Sequence, residues 1–186
     1  VPEGWSNDNG GWVLTKGGVA PAGATVELDV IERLMVDPCS QDVTVDVPPG
    51  SSLESFAAIL TSWGSETTGR TPRSPTTTEA VFGTFDSRPG VEVTVLTPAD
   101  VMIHACTDDR YVLWKEALFG NQRWIQGAAE SMRLRVIQVG SEFLILSADS
   151  FPGTPADVRA EQQAMLDSVR IVYRSAPPSA QASPTP

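Results

Sequence analysis

The feature that most constrains this chain is a series of short apolar runs with period-two alternation, joined by turn dipeptides, through its second half. Met132, Leu134 and Val136 alternate with Arg133 and Arg135, and Gly140-Ser141 separates this run (132–139) from a second at 142–148. Strict alternation puts one side of a strand in the core and the other in water, so the pattern predicts an antiparallel hairpin with one wet face. Runs at 110–118 and 122–126 flank Gly120-Asn121, another hairpin turn. Runs at 81–85 and 91–96 flank Asp86-Ser87-Arg88-Pro89-Gly90, a hairpin with a longer loop. Upstream, 11–15 reads as a short strand. Residues 25–35 read as a longer one, with Val26, Leu28 and Val30 on one side and Glu27, Asp29 and Ile31 on the other. Asp37-Pro38 ends it.

Two segments carry helical periodicity instead. Ser51 and Glu54 form a capping-box pattern ahead of Leu53, Phe56, Leu60 and Trp63, with Gly64 as the stop. That predicts a helix at 52–63. Thr154, Pro155 and Asp157 suit the N-cap, N1 and N3 positions of a second helix at about 156–169. Its apolar stripe is Val158, Met165, Leu166 and Val169. Residues 64–79 read as a surface loop, 171–173 as a final short strand and 175–186 (SAPPSAQASPTP) as a disordered tail. Helices and strands do not alternate regularly, which disfavours a doubly wound parallel sheet. The expectation is one α+β domain over 1–174, with a curved antiparallel sheet packed against two main helices.

Composition narrows the partners. The chain has 186 residues, 41% hydrophobic, enough to build a core. Its 23 acids against 13 bases argue against a nucleic-acid partner. Residues 1–50 carry a net charge of −6 and residues 101–150 only −1, so the N-terminal acids read as a solvated face and a binding surface is expected on the neutral sheet. No run of 18 apolar residues exists, so no transmembrane segment is expected. Two lysines, Lys16 and Lys115, leave few amines for Schiff-base chemistry.

The two cysteines, Cys39 and Cys106, belong to no C-x-x-C pair. An even count in a low-lysine chain rich in Pro, Ser and Thr suggests one disulfide and an exported protein, with two buried free thiols as the alternative. Val1 in place of a methionine fits removal of a signal peptide or lipidated leader.

Tyr111-Val112-Leu113-Trp114, Arg123-Trp124-Ile125-Gln126-Gly127 and the run 134–140 form one half of a resemblance. Ser150-Phe151-Pro152-Gly153-Thr154-Pro155, leading into 165–171, forms the other. Across about 25–173 the chain resembles uncharacterised exported, lipoprotein-type domains of bacterial cell envelopes. Its element order is also similar to PsbP-like α/β folds. In those domains an Asp-Pro-Cys and a second cysteine upstream of a Tyr-x-x-Trp segment recur. Asp37-Pro38-Cys39 and Cys106 occupy those places, so the resemblance implies a Cys39–Cys106 bond and an extracytoplasmic location. It implies no reaction.

Candidate chemistry is sparse. His104 is the single histidine and lies two residues from Cys106, a pairing that suggests nucleophilic chemistry only if the thiol is free. One histidine supports no multi-histidine metal site, no G-x-S-x-G elbow occurs and no calcium-loop or phosphate-loop motif is present, so neither metal nor cofactor is expected. Asp108-Asp109 look like a turn rather than a glycosidase pair. Five tryptophans stand out against two tyrosines. Trp63 belongs to the helical stripe; Trp114 and Trp124 are expected as cross-strand neighbours; Trp5 and Trp12 lie in the glycine-rich N-terminus. Trp5, Trp12, Trp114 and Trp124, with His104, are the candidate ligand-binding residues, as an exposed aromatic platform for a sugar, peptide or lipid. The resulting expectation is a non-enzymatic extracytoplasmic binding module for a small molecule, glycan, lipid or protein. A secreted hydrolase using His104 or an acidic pair, and a purely structural surface domain, are the alternatives.

Overall fold

The computed structural model describes residues 2–8, 13–17, 22–40, 44–46, 52–63, 75–116 and 122–172. In chain order the elements are β1 (Ser6–Asp8), β2 (Val13–Lys16), β3 (Ala24–Met35), β4 (Thr44–Asp46), α1 (Leu53–Ser62), β5 (Thr76–Thr77), β6 (Val81–Phe85) and β7 (Arg88–Leu96). Two single 3-10 turns follow, Ile103–Ala105 and Thr107–Asp109. Then come β8 (Val112–Glu116), β9 (Gln122–Trp124), β10 (Ser131–Val139), β11 (Glu142–Ser150) and α2 (Ala156–Ser168). The strands form one curved antiparallel sheet in the order β1-β2-β3-β11-β10-β7-β5, with β4 and β8 also on β3, β6 on β7 and β9 on β8. The sheet dominates; two helices pack on it and one disulfide ties it.

The hairpin read from 132–148 is its centre. β10 and β11 run in unbroken register from Ser131 opposite Ser150 to Val139 opposite Glu142. Gly140, at φ 65°, takes the first central position of the two-residue turn, where a side chain would be strained. β3 is long enough to serve two neighbourhoods: 24–30 pair with β11, whereas 33–35 pair with β4 and β8, with an irregularity between Ile31 and Arg33. That break bends the sheet so that β8 and β9 fold over one of its faces.

Two cores result. On one face Val91, Val93, Val95, Leu134, Val136 and Ile145 meet Leu53, Phe56, Leu60 and Trp63 of α1 and its end, together with Tyr111, Leu113 and Trp114. On the other, Ala24, Val26, Ile137, Leu146 and Ala148 meet Trp5 and α2 through Val158 and Leu166. Each such side chain contributes about 1.5–3 kcal/mol when fully buried.

Several expectations shift in detail. Ser52, not Ser51, caps α1: its hydroxyl accepts from the Ser55 amide. Thr154 does not cap α2; Pro155 is the cap residue, and the Thr154 hydroxyl instead donates to the Gly23 carbonyl. The 81–96 hairpin closes in two residues, not five, because Asp86 and Ser87 both adopt positive φ (48° and 63°) and make a primed turn. β7 can begin at Arg88 because Pro89 lies one residue beyond the β10 ladder, which stops at Gly90 opposite Ile137. The far face of β10 is wet only in part: Ser131 and Arg133 stay part-exposed, whereas Arg135, expected outside, is 6% exposed. Its guanidinium donates to the Leu166 carbonyl, Glu92 and Asp167 and stacks on Phe85. Ile171 and Val172 form no strand; the Ile171 amide donates to Asp86. Gly11, Trp12, Ser51, Gly64, Gly120-Asn121, Tyr173, most of the 64–79 loop and the 175–186 tail lie outside the described residues.

Candidate functional site

Two of the four candidate tryptophans, Trp5 and Trp114, lie in the interior. Trp5 is buried, and its indole N–H donates to Glu161, which also pairs with Lys16. Trp114 is wholly buried and donates to Asp29. Trp114 stands opposite Arg123 while Trp124 stands opposite Val112, so the two tryptophans are not direct cross-strand partners; a register shift separates them. Trp124 keeps a half-buried ring under the Arg110 guanidinium, 4.7 Å from its centroid. Trp12 lies outside the described residues. The indole N–H groups of Trp5 and Trp114 both find carboxylate acceptors inside, which lets these two rings be buried.

Cys39 and Cys106 form the disulfide. Asp37 explains the turn before it: its carboxylate accepts from the Cys39 and Ser40 amides. Cys106 therefore offers no thiolate to His104. The histidine is exposed on its turn, and its Nδ1 lies 3.9 Å from Asp109.

The acids of the N-terminal third do not all form a solvated face. Glu27 and Asp29 are buried beneath β8 and β9. Arg123, itself 7% exposed, reaches Glu27 at 2.7 Å and also pairs with Asp149. Glu130 lies beside this group; burial raises its carboxyl above the usual range, against the opposing pull of Arg123 and of the Gln126 and Gly127 amides. One guanidinium thus holds two buried carboxylates where β9 closes over β3 and β11. The alternation of 25–35 is as expected, but the acidic side faces inward, Glu27 paired with Arg123 from a distant strand and Asp29 accepting from the Trp114 indole.

On the opposite face a cleft of about 380 Å³ lies between α2 and the sheet. Thr94 of β7, Ser131 and Arg133 of β10, Ser150 of β11, and Arg159 and Gln163 of α2 line it. α2 is set at a fixed height by Gln162, whose amide nitrogen donates to the Thr25 and Asp149 carbonyls at 3.0 and 2.7 Å. A smaller apolar groove of about 200 Å³ lies near the end of α2, between Leu28, Leu144, Leu146, Val169 and Val172. Sequence reading missed the cleft: Arg133 and Arg159 belong to a strand and a helix whose packing no local pattern reveals.

No protein-family model matches the chain, and no curated protein matches it. Among solved structures it is similar to a Pseudomonas aeruginosa protein of unknown function, at 14% identity and a TM-score of 0.44, over 95% of this chain and 90% of that one. A likeness of that strength carries no argument about fold or activity. Among the described residues no helix is long and apolar enough to cross a membrane, and no group of three or more His, Cys, Asp or Glu side chains is placed to hold a metal ion.

Proposed function

We propose that the protein is a non-enzymatic extracytoplasmic binding module of the bacterial cell envelope, with the α2–sheet cleft as its ligand site. The observation that carries this reading is the cleft itself: a concavity of about 380 Å³ on a rigid sheet, lined by hydroxyl, amide and guanidinium groups. Ligand sites are clefts of about 300–1,000 Å³ with a few polar groups that orient the ligand. The Cys39–Cys106 bond supports an oxidising compartment. The resemblance of 25–173 to exported envelope domains supports the same location. The His104 form of the hydrolase alternative has no thiol to activate: Cys106 is bonded, and the group 3.9 Å from the imidazole is the Asp109 carboxylate.

The test is a thermal-shift screen of envelope sugars, lipids, peptides and small anions, run on the natural chain and on Ala160→Trp, which fills the cleft from the exposed side of α2. A ligand at 100 times its Kd stabilises by about 2.7 kcal/mol. At least one ligand should shift the natural chain and not the variant. A panel without any shift would favour the purely structural reading.

A further inference from the structure

We propose that the α2–sheet cleft takes a hydroxylated organic anion of monosaccharide size, its oxyanion gripped by Arg159 and Arg133. This rests on the cleft being the ligand site. Its lining holds two arginines and no carboxylate, in a chain whose acids outnumber its bases by 23 to 13. The local field is therefore opposite in sign to that of the molecule.

Neither arginine is saturated. The Arg159 guanidinium makes no ion pair or hydrogen bond among the described residues, although this surface is rich in carboxylates. Arg133 has a 3.6 Å approach to one oxygen of Glu92, whose other oxygen is taken at 3.0 and 3.2 Å by Arg135, and a longer-range attraction to the Asp167 carboxylate. Guanidinium groups recognise carboxylate and phosphate with paired N–H donors, so two underused forks facing one cleft make an oxyanion receptor.

The rest of the lining asks for hydroxyls. Gln163 donates its Nε2 to Asp167 at 2.8 Å, which fixes the amide and leaves its Oε1 buried with no hydrogen-bond partner. A buried acceptor without a donor is a standing penalty, which a ligand hydroxyl would relieve. Ser131, Ser150 and Thr94 add hydroxyls that donate or accept. A volume of about 380 Å³ is at the small end for ligand pockets, enough for one sugar ring and its anionic substituent.

The experiment is isothermal titration calorimetry of the full chain with three matched hexoses: glucose 6-phosphate, glucuronate and glucose. At least one of the two anions should bind, and tell phosphate from carboxylate as the preferred group, with glucose at least ~10-fold weaker. Arg159→Gln and Arg133→Gln should each weaken the anion by ~10-fold, the loss of one charge-assisted contact. Ala160→Trp should abolish binding while circular dichroism shows the fold kept. Equal binding of glucose and its anions would overturn the anion assignment and leave the cleft as a binding site. Failure of both anions to bind would overturn it too. Unchanged anion binding in Ala160→Trp would overturn both the assignment and the cleft reading beneath it.

Discussion

Arg123→Met is the most informative single change to the fold. The arginine is 7% exposed and serves Glu27 and Asp149, which are themselves buried. Methionine keeps the length and apolar stem of the side chain and removes the charge. Two carboxylates are then left together without a counter-ion under β8 and β9. Removing one partner of a buried ion pair costs about 3–5 kcal/mol, mostly the penalty of the stranded charge. For a domain of this size that lowers Tm by roughly 6–20 °C. Adding Glu27→Gln and Asp149→Asn to Arg123→Met removes the stranded charges and should recover about half the loss or more, a coupling that urea denaturation of the single and combined variants resolves. A loss below about 1 kcal/mol for Arg123→Met, or no recovery in the triple variant, would refute the view that this guanidinium is what allows the acids inside.

Other outcomes follow from the same geometry. Cys39→Ser with Cys106→Ser opens a loop spanning 67 positions, and the chain-entropy relation puts the loss at about 4.4 kcal/mol by denaturant titration. Glu130 is held above its ordinary 4.5, so the native state keeps its proton longer than the unfolded chain does. Its contribution is complete below that value and is lost as pH rises through the folded one. Glu130→Gln should therefore gain stability relative to the natural chain as pH rises above 4.5, and a pH-independent difference would contradict the assignment. Gly90→Ala places a Cβ 2.6 Å from the Val136 carbonyl oxygen and from the Phe85 ring. It should cost about 1–3 kcal/mol by overpacking, read as a drop in Tm.

The elements were legible because they rest on local chemistry. The alternation of 132–148 named the central hairpin, and the stripe from Leu53 to Trp63 named the face of α1 that is buried. What failed depended on distant partners. Glu27 and Asp29 carry the sequence mark of solvent exposure, but Arg123, nearly a hundred residues on, pairs with Glu27, and the Trp114 indole donates to Asp29, so both lie inside. Arg135 alternates as an outward residue, yet the end of α2 supplies the Leu166 carbonyl and Asp167 that receive it. The tryptophans were conspicuous by composition, which says nothing of whether a buried acceptor such as Asp29 or the Met35 carbonyl awaits each indole. The cleft was invisible for the same reason, being a property of how α2 lies on the sheet.

The most direct test of the proposed site is a two-dimensional amide NMR titration of the natural chain with glucose 6-phosphate and, separately, with glucuronate, read for whichever anion binds the tighter. Changes should concentrate at Thr94, Ser131, Arg133, Ser150, Arg159 and Gln163 and saturate together. Changes clustered instead around His104 and Trp124, or along the groove of Leu144 and Val169, or no change at all, would contradict the assignment of the α2–sheet cleft as an oxyanion site.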